Sequence, residues 1–440
     1  MTSGEADPAA DPYLPHAGDR GFGVTRYELD LDYRVASNRL TGRARIKAVA
    51  VRDLTAVTLD LAHLRATKVS VDGHRSFRHR QRPGKLAIQL HRPVPAGATF
   101  EVDVEYQGNP RPIRGRWGEV GWEELTDGVI VAGQPEGAPS WFPCNDRPDD
   151  KAAYRISVTT ESPYAVVANG TLVDRRVHSS RTRWVYEQPQ PMATYLATVQ
   201  IGQYGVTESG TSPVRQLLAV PGRLRRTAEH DFARQPRMLT VFEEMFGPYP
   251  FDSYTVVVTD DELEIPLEAQ SLSIFGANHV DGHRGSERLV AHELAHQWFG
   301  NSLTLGRWRD VWLHEGFACY AEWLWSERSG GPDAGALARR HWQRLAHLPQ
   351  DFVLADPGPD RMFDDRLYKR GALTLHALRR VVGDAVFFPL LSSWASTHRH
   401  ATVTTADFVR HATSAPADRD RVARLLDAWL YGRPLPELPG

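Results

Sequence analysis

A chain of 440 residues is too long for one small core and fits two or three domains. Its 41% hydrophobic and 24% charged residues are the balance of an ordinary folded protein, not of a disordered one. A formal net charge of −2 gives no electrostatic basis for a nucleic acid or membrane partner, and two distant cysteines, Cys144 and Cys319, exclude a disulfide framework and a C-x-x-C metal site.

Residues 1–21 are rich in Pro, Gly, Asp and Ala and read as a disordered or loosely docked tail. They lack the basic segment and apolar run of a signal peptide, and no apolar stretch reaches the roughly 18–20 residues of a membrane span. The expectation is a cytoplasmic protein. From about residue 25 the pattern changes: in Tyr27-Glu28-Leu29-Asp30-Leu31-Asp32-Tyr33 apolar and charged residues alternate, as in a half-buried strand. Similar runs return over 43–51, 55–61, 85–90, 99–106, 154–160, 164–168, 182–187 and 193–203, separated by turns such as Asp72-Gly73. Residues 22–205 are therefore predicted to form an antiparallel all-β domain. One stretch, from Gln134-Pro135-Glu136 to Asp146-Arg147-Pro148, interrupts the alternation. Its composition is that of a surface Ω-loop, or of a loop walling a ligand site.

Beyond residue 206 helical periodicity dominates, so 206–440 is predicted as a mixed α/β, mainly helical domain. Residues 226–246 are amphipathic, with Pro236 marking an interruption or a second helix start. A β-branched strand at 254–258 follows, then helices over 284–300, 309–328, 334–347, 366–382, 385–397 and 418–431. Between strand and helices, Asp261–Gln270 offers three glutamates; the residues alone assign this acidic loop no role.

The strongest signal lies within 287–323. His292-Glu293-Leu294-Ala295-His296 is an H-E-x-x-H motif, and positions i and i+4 of a helix share a face, so both imidazoles can address one ion. Glu293 follows the first histidine, where its carboxylate can reach a water on that ion and act as general base. Eighteen residues separate His296 from Glu315, which opens a second helical pattern. Two histidines and a carboxylate make the three-ligand, open site of a catalytic zinc. Glu322, seven residues beyond Glu315, lies two turns along the same face; unaided, it reads equally as a solvated surface charge.

These segments resemble a known family. H-E-L-A-H-Q-W-F-G-N, the 18-residue gap and W-L-H-E-G-F-A are similar to the M1 (gluzincin) zinc aminopeptidases, with His314 where that family usually has Asn. The resemblance implies an α+β multidomain chain, its N-terminal β domain followed by a thermolysin-like catalytic domain. It implies one Zn2+ held by His292, His296 and Glu315, and a role for Glu322 in orienting a metal-bound histidine. The loop ending Phe142-Pro143-Cys144-Asn145-Asp146-Arg147-Pro148 resembles the family's F-P-C-x-D-x-P segment, which places Gln134 and Glu136 near the substrate's N-terminal residue. Ile265-Pro266-Leu267-Glu268-Ala269 aligns with G-x-M-E-N, making Glu268 the amine anchor, although Ala269 replaces Asn and Pro266 has no N–H to donate. Tyr368-Lys369-Arg370-Gly371 resembles Y-x-K-G, whose tyrosine donates to the oxyanion; a tyrosine at a helix start is otherwise a packing residue. Arg370 replaces Lys there and keeps the charge. The chain ends where the family's catalytic domain closes, so it is expected to be a short form lacking the C-terminal helical domain.

The leading expectation is a zinc aminopeptidase acting on peptide substrates, with no nucleic acid or membrane partner. The altered anchoring motif leaves a zinc endopeptidase as an alternative, and a degenerate peptide-binding scaffold as another.

Overall fold

The computed structural model describes residues 10–75, 78–209, 214–414 and 418–439. These divide into two compact units. The first draws on Met1–Glu208, Leu217–Arg225 and Phe251–Asn278, the second on Ser209–Gln216, Arg226–Pro250 and His279–Gly440.

The first unit is built on an eight-stranded sheet. Its interior strand β1 (Phe22–Arg34) buries Tyr27, Leu29, Leu31 and Tyr33 on one face. On the other face Glu28 pairs with Arg45 at 3.2 Å, Asp30 with Arg183 at 3.1 Å and Asp32 with Arg181 at 2.8 Å. A one-residue slip would carry these acids into the core, so the alternation fixes the register. β2 (Arg39–Ala50) runs antiparallel to β1, but Ala152–Glu161 flanks it in parallel. That pairing is the one departure from the antiparallel expectation in this sheet, and it needs a long crossover because no hairpin joins parallel neighbours. Beneath the sheet, Tyr27 stacks on Tyr154 at 4.9 Å and Tyr33 meets Trp122 edge-on at 4.9 Å.

The expected loose tail ends sooner than composition suggests. Residues 1–9 lie outside the described residues, but 10–21 are pinned to the strand Leu54–Asp60 of a separate three-stranded sheet and to Asn145. The Gly18 N–H donates to Asp60 at 2.9 Å, the Asp19 N–H to Asn145 at 2.6 Å, and Asp19 accepts from the Thr58 N–H at 3.0 Å. A further sheet has the strand order Tyr204–Ser209, Arg215–Pro221, Ser253–Val258, Leu272–Phe275, Leu267–Ala269. Its outer strand, Leu267–Ala269, lies in the stretch expected to be an acidic loop. It pairs with Leu272–Phe275 through a turn at Gln270 and Ser271, where Ser271 takes the left-handed conformation.

The second unit is helical. α1 (Arg225–Asp231) and α2 (Gln235–Phe246) divide the 226–246 segment, and Pro236 sits in the first turn of α2, where no helical N–H is required of it. There follow α3 (Glu287–Ala295), α4 (Trp312–Ser329), α5 (Ala334–Ala346), α6 (Asp365–Val382), α7 (Asp384–Thr397), α8 (Thr405–Ser414) and α9 (Arg419–Tyr431). α8 was not predicted because only Thr405, Phe408 and Ala412 are buried along it, too few for a visible periodicity. Its start is nonetheless encoded: Asp407 accepts from the Thr404 N–H at 2.9 Å, and the Asp407 N–H donates to Thr404 Oγ1 at 3.2 Å, a reciprocal cap. Among the described residues, no helix is long and apolar enough to cross a membrane.

Candidate active site

The site in the second unit begins with how α3 ends. Its regular hydrogen bonding stops at Ala295 instead of continuing to residue 300, yet the His296 N–H still donates to the His292 carbonyl at 3.2 Å. Both imidazoles therefore stay on one face. The chain then widens into i to i+5 turns, with the N–H groups of Asn301, Ser302 and Leu303 reaching the carbonyls of His296, Gln297 and Trp298. The wider turns leave the Phe299 carbonyl free to accept from His296 Nδ1 at 3.0 Å. Gly300 permits this at φ +132°, and a Cβ there would stand 3.1 Å from that same nitrogen.

His292 is oriented differently. Its Nδ1 donates to Glu322 Oε1 at 2.8 Å, and Arg288, one turn earlier on α3, holds Glu322 Oε2 at 2.9 Å. A carbonyl and a carboxylate accept hydrogen bonds, so both rings carry their proton on Nδ1 and present a bare Nε2. Glu315, in the first turn of α4, meets them. Its Oε2 lies 3.3 Å from His292 Nε2 and 3.6 Å from His296 Nε2. Donor atoms on arms of about 2.0–2.1 Å around a tetrahedral ion stand roughly 3.3–3.4 Å apart, so the three fit one zinc. Among the described residues, His292, His296 and Glu315 form one three-donor cluster with donor atoms within 4.8 Å, and neither buried cysteine joins it.

The electrostatics favour a cation at that point. Burial opposes charge on His292, but Glu315 and Glu322 outweigh this and lift its pKa to about 10, so without an ion the acids draw a second proton onto Nε2, the position a metal cation takes in its place. Burial likewise pushes the Glu322 carboxyl up, and the His292 contact with the charges of Lys369 and Arg288 overrides it, holding the pKa down at about 2. Glu293 is 3% exposed, and a carboxylate oxygen of it lies within 4.8 Å of a His296 ring nitrogen. His314, beside Glu315, accepts the Leu305 N–H on Nε2 at 3.1 Å, so it braces a strand rather than joining the donor set.

Tyr368 arrives on α6. Its ring lies 6.1 Å from the His292 ring, nearly parallel to it at 14°. What lets α6 come so near α4 is a pair of glycines. A Cβ on Gly371 would stand 2.6 Å from Gly316 Cα, and one on Gly316 would stand 2.8 Å from Gly371 Cα. Of the residues singled out in the sequence, His292, Glu293, His296, Glu315, Glu322 and Tyr368 are gathered in the second unit. It missed Arg288, the Phe299 carbonyl and the two glycines. Arg288 had a readable signal, since it lies at i−4 from His292.

The remaining predicted residues belong to the first unit. Gln134 and Glu136 follow the strand Gly128–Ala132, and Glu268 lies half-buried on the edge strand opposite Ser273. Gln134 Nε2 is buried with no hydrogen-bond partner among the described residues. Burial raises the Glu136 carboxyl above the usual range.

Comparison with known proteins bears on the same segments. Residues 230–429 match the peptidase family M1 domain, and residues 24–196 match the peptidase M1 N-terminal domain. The chain belongs to peptidase family M1. An M1 zinc metallopeptidase from Deinococcus radiodurans superposes with a TM-score of 0.89 at 31% identity, covering 99% of this chain and 100% of that one. A mutant of the Deinococcus enzyme, crystallised with a Tyr-Ser-Ala substrate, gives 0.90 at 30% identity with the same coverage. Leucine aminopeptidase 2 of Ajellomyces capsulatus is 24% identical over 95% of this chain and 71% of its own length. The leucyl aminopeptidase of Saccharolobus solfataricus is also 24% identical, over 83% of this chain and 48% of its own length. This family M1 chain is thus a zinc metallopeptidase with aminopeptidase relatives.

Proposed function

We propose that the chain is a zinc-dependent aminopeptidase that removes N-terminal residues from peptides, with one zinc per chain held by His292, His296 and Glu315. The observation that carries this reading is the convergence of two bare Nε2 atoms and one carboxylate oxygen at zinc-ligand spacing, with Tyr368 alongside. Bound there, zinc supplies a Lewis acid and lowers the pKa of its water toward ~7. Glu293 takes the proton released as the peptide carbonyl is attacked and returns it to the leaving amine. The Tyr368 hydroxyl donates to the carbonyl oxygen as negative charge develops on it. Glu322 keeps the His292 proton on Nδ1 and its Nε2 toward the metal.

Restriction to the N-terminus requires groups that recognise an α-ammonium. Glu268 supplies a carboxylate for it, with Glu136 a second and Gln134 a polar contact; the buried, unpartnered Gln134 Nε2 supports a ligand-facing role. The test is a panel of free and N-acetylated peptides together with metal analysis. Free peptides are expected to be cleaved roughly 30- to 160-fold faster, reflecting loss of a charge-assisted contact worth about 2–3 kcal/mol. Equal rates on the acetylated series would sink the exopeptidase reading in favour of an endopeptidase. Glu293→Gln should abolish turnover while zinc stays bound.

A further inference from the structure

Arg370 lies two residues beyond Tyr368 on α6 and is 3% exposed, yet among the described residues no carboxylate partners it. Its guanidinium instead faces the C-terminal end of α9. Nε donates to the Trp429 carbonyl at 3.2 Å and Nη1 to that of Arg433 at 2.8 Å. Nη2 donates to the carbonyl of Gly432 at 2.6 Å and that of Pro434 at 3.4 Å. The last carbonyls of a helix have no intrahelical donor and carry its negative pole. At Gly432 the backbone turns extended, and Arg370 binds one carbonyl of the last turn of α9, that of Trp429, together with those of Gly432, Arg433 and Pro434 in the extended segment leaving it. Trp342 Nε1 continues the tether at the Pro436 carbonyl, 2.7 Å away.

We propose that Arg370 is a positioning residue for Tyr368: by tying the start of α6 to the last turn of α9 and to the segment leaving it, it fixes the distance of the phenol from the zinc ligands. This rests on the role given to Tyr368 above. The rest of the first turn of α6 is already restrained. Asp364 caps α6 by accepting the Arg366 N–H at 2.9 Å, Arg366 Nη1 reaches the Pro349 carbonyl at 2.8 Å, and Gly371 abuts Gly316. Arg370 closes the one side of the turn that these leave to α9. A lysine in its place keeps the charge but has a single nitrogen, unable to span carbonyls on three successive residues. Burial lowers the guanidinium pKa to about 10, so Arg370 stays charged at neutral pH while it donates to the four carbonyls.

The test is a double-mutant cycle with steady-state kinetics, supported by hydrogen exchange on zinc-free protein. Arg370→Met should lower kcat about 10- to 100-fold, the effect of displacing a reacting group by about 1 Å, with KM within ~3-fold. Arg370→Lys should recover part of the loss. Arg370→Met combined with Tyr368→Phe should fall no further than Tyr368→Phe alone, within ~3-fold, since both remove one contribution. Amides 367–371 should exchange faster in Arg370→Met while those of α3 stay protected. If Arg370→Met does not fold, Arg370→Lys carries the same cycle. Losses that multiply, or an unchanged kcat with only a lowered Tm, overturn the inference and leave Tyr368 as the donor. Full activity of Tyr368→Phe would remove that role, and the positioning claim with it.

Discussion

Replacing Gly371 by alanine tests whether the approach of α6 to α4 sets the catalytic geometry. The new methyl carbon would stand 2.6 Å from Gly316 Cα, 3.4 Å from Gly316 N and 3.6 Å from the Trp312 carbonyl oxygen, all backbone atoms. Carbon atoms pack at about 3.5–4.0 Å, so the helices must part by roughly 1 Å. Overpacking of this kind costs about 1–3 kcal/mol, and the better helix propensity of alanine returns about 1. The net effect on stability is thus small, about 0–2 kcal/mol. The effect on chemistry is not, because the same 1 Å carries Tyr368 away from His292 and should cost about 100-fold in kcat. Thermal unfolding, zinc content and hydrolysis of an aminoacyl-coumarin substrate measure the three consequences on one preparation. Gly316→Ala is the partner experiment: Gly316 follows Glu315, so that variant should also weaken zinc binding, whereas Gly371→Ala should not. Unchanged kcat in Gly371→Ala, with full zinc and an unchanged Tm, would refute the argument.

Glu322→Gln should weaken zinc about 10-fold, and Glu322→Ala up to about 100-fold, in competition with a chelator. His314→Gln keeps an acceptor for the Leu305 N–H and should fold nearly as well as the parent, whereas His314→Leu orphans it and should lose about 1–3 kcal/mol in urea unfolding. His376, 7% exposed and 3.2 Å from the Tyr320 hydroxyl, has its pKa lowered to about 4, first by burial and then by the charges of Arg379, Arg380 and Arg339, with Glu327 opposing. The unfolded chain binds this proton near pH 6.5, so its contribution is complete above that pH and is lost as pH falls toward 4, by at most about 3 kcal/mol. His376→Gln should therefore flatten the decline of Tm between pH 7 and 4.5; an unchanged slope would show that other groups carry it.

What the sequence disclosed depended on how locally each feature is encoded. The H-E-x-x-H spacing and the helical face joining Glu315 to Glu322 are relations within one helix, and both were legible. Arg370 was not. Its charge suggested a charged role, while its partners are carbonyls 59 to 64 residues away, which leave no pattern in side chains. Residues 10–21 look unstructured by composition because backbone N–H groups do much of the docking, on Asp60 and Asn145, 42 and 126 positions distant. The strand Thr171–His178 escaped notice because its residues are exposed or half-buried throughout and show no alternation. At Glu268 the acidic composition suggested a loop, and the ladder to Leu272–Phe275 overrode it.

The parallel seating of β1 beside Ala152–Glu161 has a consequence for synthesis. β1 and β2 can pair as soon as both have left the ribosome, but one edge of β1 then stays open until residues 152–161 emerge, roughly 100 residues and ~5–20 s later. During that interval Tyr27, Leu29, Leu31 and Tyr33 face water beside a bare strand edge, the combination that recruits a neighbouring nascent chain. Glu28, Asp30 and Asp32 alternate with them along the same strand. Arg45 on β2 already pairs with Glu28 and Asp30, so on the open edge it is Asp32 that sets its charge against a second copy of β1, because its arginine partner Arg181 is made only after the strand that closes it.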